Sequence, residues 1–404
     1  MGITERLYYR DSYMKEFTAR VVRTGPAGGQ TEVVLDRTAF YPEGGGQPSD
    51  TGLLAGAPVT SVLERDGEVV HLVRGSVPSG EVIGGVEWER RFDHMQQHSG
   101  QHILSQAFEQ LLGAKTVSFH MGAEVSTIDL ATPGLGPEQV QAVEELSNRV
   151  VFEDRPILVH LLDPSELSRF DLRKGTEREG EIRVVEVEGF DSIPCGGTHC
   201  RSTGAVGLIK VTRWARRSGD VRVEFLCGWR ALRDYRAKNE AVVALATSLA
   251  VRDQEVREAV ERLMRDATET RRQAEQLRNQ ILDYQAAELA GKAEAVGEAS
   301  VITTVLADRS PDELKHLAAR VTSEPGRVVL LAATADKASV VFARSEDVPL
   351  DAGALLRQAA APFGGRGGGR PNLAQGGIPD PANAQAVLDE ALKAVRGILG
   401  GHAG

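Results

Sequence analysis

The chain has 404 residues, a length at which two to four compact units are expected rather than one hydrophobic core. Charged residues make up 26% and hydrophobic residues 41% of the composition, which is globular usage and excludes a disordered chain. Lys and Arg total 47 against 57 Asp and Glu, and the net charge of −10 excludes binding of a polyanion by overall charge. Any contact with a nucleic acid must therefore come from local patches.

One local patch of basic residues surrounds Trp214. Its members are Lys210, Arg213, Arg216, Arg217 and Arg222. With the indole as a stacking surface this segment could contact RNA, whereas a solvated strand and turn would have no such role. Composition alone supports the two interpretations about equally.

The cysteines and the N-terminus indicate a reducing compartment. Cys195, Cys200 and Cys227 form an odd set without the spacing of a disulfide framework. The sequence shows neither a signal peptide nor an apolar run long enough to cross a bilayer. We expect a cytoplasmic protein with no membrane partner.

The hydrophobic pattern predicts an α+β multidomain protein. Residues 1–90 alternate short apolar runs with turn signals, which indicates a small antiparallel barrel or sandwich, and we expect the β-barrel. Residues 91–231 begin with a helix that ends at Gly113 and continue with strands and a helix over 137–152. This pattern predicts a domain in which a helix packs on an antiparallel sheet.

Two further segments follow. Residues 232–297 have the composition of long charged helix, and from Val256 to Tyr284 apolar residues repeat at alternating four- and three-residue steps. A helical hairpin and a dimerising coiled coil both satisfy this stripe. Residues 298–404 return to α/β patterning, but the glycines of FGGRGGGRPNLAQGG are expected to preclude regular helix or strand there.

Histidines and a cysteine form two local motifs. His98 and His102 lie one turn apart on the first predicted helix, so both imidazoles can reach one metal ion. Cys195 and His199 flank two glycines, a flexible turn that can bring thiolate and imidazole to one ion. Taken singly, the first motif is more often a solvated helix face, and the second is as often a glycine turn with a buried thiol.

Together the two motifs supply three nitrogen ligands and one sulfur ligand, the set that suits tetrahedral zinc. Four protein ligands normally indicate a closed structural site, whereas a catalytic zinc keeps one position open. The catalytic interpretation therefore requires one loose ligand or an expanded coordination shell. His94 continues the same helix face, and we expect it to lie at the surface.

The glycine-rich segments have two interpretations each. YPEGGGQPSDTG, residues 41–52, is a tight turn by default. Alternatively the backbone of Gly44, Gly45 and Gly46 approaches a sugar or phosphate, with Gln47 and Asp50 as polar contacts. The second segment, FGGRGGGRP, lacks the lysine and hydroxyl pattern of a P-loop.

The motifs LDRTAFYPEGGGQPSDTG, DHMQQHSGQHILSQAF, CGGTHC and FGGRGGGRPNLAQGG occur in this order and cover nearly the whole chain. With them the sequence resembles the free-standing alanyl-tRNA editing proteins called AlaX, in their long form, and the matching editing and C-terminal parts of alanyl-tRNA synthetase. The resemblance implies that His98, His102, Cys195 and His199 bind a catalytic Zn²⁺. It also implies hydrolysis of serine, and sometimes glycine, mischarged onto alanine tRNA.

The same resemblance implies further contacts. Ser118 is the nearest counterpart of a residue that reads the seryl side chain. The C-terminal segment is similar to the DHHA1 domain shared with DHH phosphoesterases, in which Arg366 and Arg370 would contact the tRNA backbone. A homodimer through the helical segment and this domain is a further expectation. The synthetase's aminoacylation domain has no room upstream of the barrel, so ATP-dependent charging is expected to be absent.

Two rival functions fit parts of the sequence. A DHH-type phosphoesterase would explain the C-terminal domain, but it needs several metal-binding aspartates, and the string Asp93, His94, Met95 breaks that motif. A noncatalytic tRNA-binding module with a structural zinc would explain a fully ligated ion. No carboxylate adjoins the motifs, so we expect substrate hydroxyls to relay the proton.

Overall fold

The computed structural model describes residues 4–175, 180–334 and 338–400. The chain divides into two compact units, Met1–Asp253 and Gln254–Gly404, where the sequence predicted four segments. Both units combine helices with sheets, so the predicted mixed α+β multidomain class is confirmed. No helix in the described ranges has the length and apolar composition needed to span a bilayer.

The first unit begins with a closed barrel of six antiparallel strands in the order β2-β3-β7-β6-β5-β8. The strands of this region are β1 (Glu5–Arg6), β2 (Glu16–Ala27), β3 (Gln30–Leu35), β4 (Arg37–Thr38), β5 (Gly52–Leu54), β6 (Ala57–Arg65), β7 (Glu68–Val73) and β8 (Glu81–Val86). Along β2, Phe17 and Ala19 are buried and Thr18 is exposed, because alternate side chains of a strand point to opposite faces. Alternation of this kind fills the barrel with apolar side chains.

The rest of the first unit is built around one long helix, α1 (Trp88–Leu112). The elements that follow are β9 (Lys115–Met121), β10 (Ser126–Ala131), α2 (Pro137–Phe152), β11 (Ile157–Leu162), β12 (Ile182–Val187), β13 (Asp191–Pro194), β14 (Ile209–Arg217), β15 (Asp220–Cys227) and α3 (Trp229–Leu249). Strands form a four-stranded sheet, β14-β15-β10-β9, and a three-stranded sheet, β11-β12-β13. The helix ends at Gly113 in the left-handed conformation, as predicted from the sequence.

The barrel and α1 belong to one unit because a buried ion pair joins them. Arg91 of α1 and Asp50 of the glycine-rich loop both have fully buried side chains. The guanidinium donates to both carboxylate oxygens, and also to the Ser12 carbonyl at 2.9 Å and the Ala39 carbonyl at 2.6 Å. The domain boundary predicted at residue 90 therefore crosses a buried polar contact instead of a flexible linker.

The second unit begins with a long helix and contains a six-stranded sheet. Its elements are α4 (Val256–Ala290), β16 (Glu294–Val296), β17 (Ala299–Ala307), α5 (Pro311–Val321), β18 (Arg327–Thr334), β19 (Ala338–Arg344), α6 (Ala352–Ala360), β20 (Arg366–Arg370), β21 (Leu373–Ile378) and α7 (Ala384–Leu399). The strand order is β16-β17-β18-β19-β21-β20. Val328 and Leu330 pack with α6 and α7, and Val329 and Leu331 pack with α4 and α5. Helices on both faces explain why β18 reads as a continuous apolar run.

The helical segment differs from the sequence prediction. A break after Leu249 separates α3 from α4, and β16 falls within the segment predicted to be helical. The C-terminal end of α4 packs on α5 through Leu282 and Leu289, which are not part of the predicted stripe. Stripe residue Tyr284 is 79% exposed in this chain. A partner helix for the stripe stays a prediction.

The prediction that the C-terminal glycines preclude a strand is wrong. They form the hairpin of β20 and β21 at one edge of the sheet. A Cβ atom on Gly367 would lie 2.5 Å from the Gln375 carbonyl oxygen and 2.5 Å from Leu356 Cδ2 of α6. Glycine therefore allows helix and hairpin to approach each other, and this packing offsets the entropic cost of glycine in a strand.

Gly367→Ala is expected to destabilise the second unit by about 1–3 kcal/mol, because overpacking forces the backbone or Leu356 to shift. Gly368→Ala is the matched control, since the nearest atom to its added methyl group would be Arg357 Nη1 at 3.7 Å. Hydrogen exchange of the full chain, read by mass spectrometry in α6 and β21, measures both variants. Equal protection in the two variants would contradict the close-packing explanation.

A candidate metal centre beside a cavity

Four predicted ligand residues converge in the first unit. His98 and His102 lie on α1, and Cys195 and His199 lie in the loop after β13. One ligand atom from each lies within 4.8 Å of all the others. Cys195 Sγ is 3.5 Å from His98 Nε2 and 3.3 Å from His199 Nε2. Tetrahedral coordination with bonds of about 2.0–2.3 Å separates ligand atoms by about 3.3–3.6 Å, so these distances suit a single ion.

Space requires glycine at one of the two positions between Cys195 and His199, namely Gly197. A Cβ atom on Gly197 would collide with the His98 ring. The thiol is also positioned locally: Gly197 N–H donates to Cys195 Sγ at 3.4 Å, and Cys195 N–H donates to the Arg183 carbonyl at 3.0 Å. Because the loop is held this way, the thiol faces α1.

Polar groups lie behind two of the imidazoles, and the one behind His98 leaves its Nε2 atom available. His98 Nδ1 lies 2.8 Å from Gln47 Oε1, which also accepts from Thr198 N–H at 3.2 Å. An amide oxygen only accepts, so the His98 proton is on Nδ1 and the Nε2 lone pair faces Cys195. His199 Nδ1 lies 3.2 Å from Ser99 Oγ.

The third imidazole has a carboxylate nearby. Asp191 Oδ2 is 3.8 Å from His102 Nδ1, beyond hydrogen-bond distance, and Arg173 pairs with Asp191 at 2.7 Å. The prediction that no carboxylate adjoins the motifs is therefore wrong. Strand alternation was the available signal, because Asp191, Ile193 and Cys195 occupy alternate positions along β13 and its exit.

Burial determines the protonation of the cluster. Desolvation lowers the pKa of His98 to about 3, with Arg183 and His94 as further causes. It also holds the pKa of His102 and His199 well below the ordinary value. Desolvation raises the pKa of the Cys195 thiol, an effect that the nearby Arg183 guanidinium opposes. At neutral pH the cluster therefore offers three neutral imidazoles, the form that binds metals.

The cluster borders a cavity of about 780 Å³. His98, His102 and Cys195 form part of its wall. Other residues that line it are Tyr8, Tyr9, Tyr41, Gly44, Gly45, Ser118, Phe119, Arg173 and Arg183. A volume of this size falls within the range of about 300–1,000 Å³ seen for small-molecule pockets. Cluster and cavity together can hold an ion beside a bound organic group.

The glycine-rich loop, residues 41–52, contacts the cluster of candidate metal ligands from the barrel side. Gly46 has a φ of +82°, its carbonyl accepts from Met121 N–H at 2.9 Å, and a Cβ atom there would lie 2.5 Å from the Phe119 carbonyl oxygen. Gln47 is buried against His98 and Thr198. Asp50 is fully buried against Arg91, which corrects its predicted role as a contact for a sugar or phosphate. Gly44 and Gly45 do face the cavity.

The remaining predicted residues are spread over the chain. Ser118 lies on β9 at the cavity, and its hydroxyl donates to Asp129 Oδ2 at 2.7 Å. Arg366 and Arg370 are exposed on β20 of the second unit. His94 is buried and its Nδ1 has no partner among the described residues, so the prediction of a surface position is wrong. Its position on α1 one turn before His98 gives it the same buried face.

The basic patch is partly committed to internal contacts. Trp214 is half-buried, and its indole N–H donates to the Leu135 carbonyl at 3.1 Å. Arg222 forms a two-point ion pair with Asp129 at 2.7 and 2.8 Å. These contacts favour the structural interpretation for both side chains, because each already has an internal hydrogen-bond partner.

Comparisons with known proteins identify the family. The chain is 33% identical to "Alanyl-tRNA editing protein AlaX-L" of Pyrococcus horikoshii, over 98% of this chain and 100% of that protein. The chain belongs to the AlaX-L family of alanyl-tRNA editing proteins. Three family models match parts of the chain: "tRNA synthetases class II (A)" over residues 8–94, "Threonyl and Alanyl tRNA synthetase second additional domain" over 182–224, and the "DHHA1 domain" over 298–402.

The chain is also similar to parts of larger enzymes. It is 34% identical to the alanine–tRNA ligase of Pyrococcus abyssi over 96% of this chain, and 38% identical to that of Pyrobaculum neutrophilum over 92%. The chain spans 43% and 42% of these two ligases. The solved C-Ala domain of Aquifex aeolicus alanyl-tRNA synthetase is 31% identical, over 26% of this chain and 96% of that one, with a TM-score of 0.23.

Proposed function

We propose that this chain is a trans-editing hydrolase that removes serine, and also glycine, wrongly attached to alanine tRNA. The observation that carries the proposal is the convergence of His98, His102, Cys195 and His199 beside a cavity in a member of an alanyl-tRNA editing family. An editing enzyme needs a site that accepts the acylated end of a tRNA, and a cavity next to a metal-binding cluster supports that use.

The donor set of three imidazoles and one thiolate suits Zn²⁺. When bound, zinc supplies a Lewis acid for the ester carbonyl and lowers the pKa of water to about 7. The protein's own part is orientation: Gln47 holds the His98 ring, and Ser99 lies against that of His199. Cys195 is only partly buried and borders the cavity, so we take the thiolate side as the side from which substrate approaches.

The substrate contacts are proposals of the same kind. Ser118 at the cavity wall is proposed to meet the seryl hydroxyl, since a polar wall discriminates against a substrate that lacks the hydroxyl. The backbone of Gly44 and Gly45 is proposed to approach the terminal sugar. Arg366 and Arg370 are proposed to contact tRNA phosphates, and the stripe on α4 to pair two chains.

The test is a deacylation assay with purified, zinc-loaded protein and serine-charged alanine tRNA. We expect release of serine at a rate far above spontaneous hydrolysis, and slower release of correctly attached alanine. Hydrolysis of short oligonucleotides without deacylation would favour a phosphoesterase. Tight binding of alanine tRNA with no deacylation would favour a binding module with a structural zinc.

Gln47→Leu is expected to weaken zinc binding by about 10- to 100-fold, because the His98 ring loses the acceptor that fixes its orientation. Gln30→Leu is the matched control, since Gln30 also donates to a threonine hydroxyl of the barrel, at 3.0 Å from Thr60. Competition with a chromophoric chelator measures both affinities. Equal zinc affinities for the two variants would show that Gln47 does not orient a ligand.

Zinc binding at pH 7 is expected to release about one proton per ion. Burial keeps the three imidazoles neutral by lowering their pKa, and keeps Cys195 protonated by raising its pKa, so only the thiol loses a proton to the solvent. Affinity should accordingly rise about tenfold per pH unit below the thiol pKa. Calorimetry in buffers of different ionisation enthalpy counts the protons. Cys200→Ser should leave the count unchanged, whereas a count near zero for the unaltered protein would contradict the assignment of Cys195.

A further inference from the structure

Arg183 is a buried cation with no anionic partner on the described part of the chain. Its side chain is fixed on two sides, because Nε donates to the Tyr9 carbonyl at 3.1 Å and Nη1 donates to the Cys195 carbonyl at 2.6 Å. The third nitrogen, Nη2, is buried and has no hydrogen-bond partner among the described residues. The residue is 7% exposed, and no ion pair joins it to a carboxylate among the described residues.

Tyr8 is the second unpaired donor in the same place. It is 0% exposed, and its hydroxyl has no hydrogen-bond partner among the described residues. The ring is held by edge contacts with Tyr9 and Tyr41, at centroid distances of 5.0 and 5.4 Å. Arg183 and Tyr8 both line the cavity that borders the candidate metal centre.

Other arginines of the cavity wall do have internal partners. Arg6 pairs with Glu64 at 2.6 Å, and Arg173 pairs with Asp191 at 2.7 Å. A buried N–H donor and a buried hydroxyl that lack hydrogen-bond partners are both costly, and such groups are retained where a ligand satisfies them. Because both groups donate, the ligand atom must be an acceptor, and the unpaired charge of Arg183 favours an anion.

We propose that Arg183 Nη2 and Tyr8 Oη bind a phosphate oxygen of the terminal nucleotide of the acylated RNA. The inference rests on the proposed function and names one contact of the substrate within it. Close to an aminoacyl ester the phosphodiester is the anionic group, since the amino group is cationic and the ester is neutral. Arg183 Nη1 donates to the carbonyl of Cys195, which is itself one of the four candidate metal ligands, so the phosphate and the ester can be bound side by side.

The test compares two stable analogues of the acylated end. Each is an adenosine with serine joined to its 3′ position by an amide, and only one of the two carries a 5′-phosphate. Calorimetry with zinc-loaded full-length protein is expected to show about 10- to 100-fold tighter binding of the phosphorylated analogue, the range for one hydrogen-bonded charge. Tyr8→Phe should reduce this preference about tenfold at most, and Arg183→Met should remove it. Tyr8→Phe should leave the affinity for the unphosphorylated analogue unchanged.

Thr303→Val is the matched control, because the buried hydroxyl of Thr303 on β17 also has no partner in the described ranges and Thr303 does not line this cavity. It should bind both analogues like the unaltered protein. Equal affinity of the unaltered protein for the two analogues overturns the phosphate contact and leaves the proposed function standing. Absence of binding for both, together with absent deacylation, overturns the proposed function and this inference with it.

Tyr8→Phe decides the question even if Arg183→Met does not fold, because the hydroxyl forms no hydrogen bond within the described part of the chain that the substitution could remove. A Tyr8→Phe protein with slower deacylation but an unchanged phosphate preference would place the hydroxyl at the reacting carbonyl and overturn the inference. A Tyr8→Phe protein with reduced preference and unchanged stability supports it.

Discussion

His102→Ala is expected to lower the rate of deacylation of serine-charged alanine tRNA by about 10³-fold or more. His102 lies at the centre of α1, and its imidazole centroid is 5.2 Å from that of His98 and 4.6 Å from that of His199. Removing it leaves three donor groups, which hold zinc less tightly and in an altered geometry. A Lewis acid stabilises the charge that develops in the transition state by several kcal/mol. Its loss therefore corresponds to a rate effect of this size.

Single-turnover deacylation and the zinc content of the purified variant are the two measurements. His120→Ala is the matched control, since His120 is an exposed histidine on β9 of the same unit and should leave both values unchanged. Treatment of the unaltered protein with a chelator should reproduce the defect, and added zinc should reverse it. Equal deacylation by His102→Ala and the unaltered protein would overturn the assignment of the metal centre.

Asp50→Ala is expected to lower the free energy of unfolding of the first unit by about 3–5 kcal/mol. The substitution leaves Arg91 as an unpaired charge in a fully buried position, and removing one partner of a buried pair has a cost of this order. The Tyr41 N–H, which donates to the same carboxylate at 2.6 Å, also loses its acceptor.

Urea unfolding followed by tryptophan fluorescence measures this effect, because Trp88, Trp214 and Trp229, the three tryptophans of the chain, all lie in the first unit. Glu32→Ala is the control: it breaks the partly exposed pair of the barrel between Glu32 and Arg65, with an expected cost of about 1 kcal/mol or less. Asp50→Leu combined with Arg91→Met should recover much of the stability. Similar losses for Asp50→Ala and Glu32→Ala would contradict the role given to the buried pair.

Asp50 is expected to hold the site together, whereas His102 is expected to act in the reaction. Asp50 lies three residues after Gln47 in the same glycine-rich loop. Its ion pair with Arg91 ties that loop to the first turn of α1, and Gln47 then meets His98 two turns further along the helix. The loop is therefore attached to α1 at two points, and weakening the first is expected to disturb the second.

The sequence by itself determined the parts of this protein that depend on near neighbours. His98 and His102 fall on one helix face because the helical period is 3.6 residues. The barrel strands and β18 could likewise be predicted from alternation and from a continuous apolar run, since both patterns record which faces of a strand are buried.

Only the tertiary structure decided the contacts that join distant segments. Gln47 meets Thr198 across 151 residues, and Asp50 meets Arg91 across 41. Nothing in the local sequence distinguishes a glutamine that touches substrate from one that orients a histidine, because both are polar residues beside glycines. For β20 too, the local sequence is insufficient. Its glycines predict a break in the strand, and only the close approach of Leu356 explains why glycine is needed there. Packing, unlike periodicity, depends on residues that the local pattern does not contain.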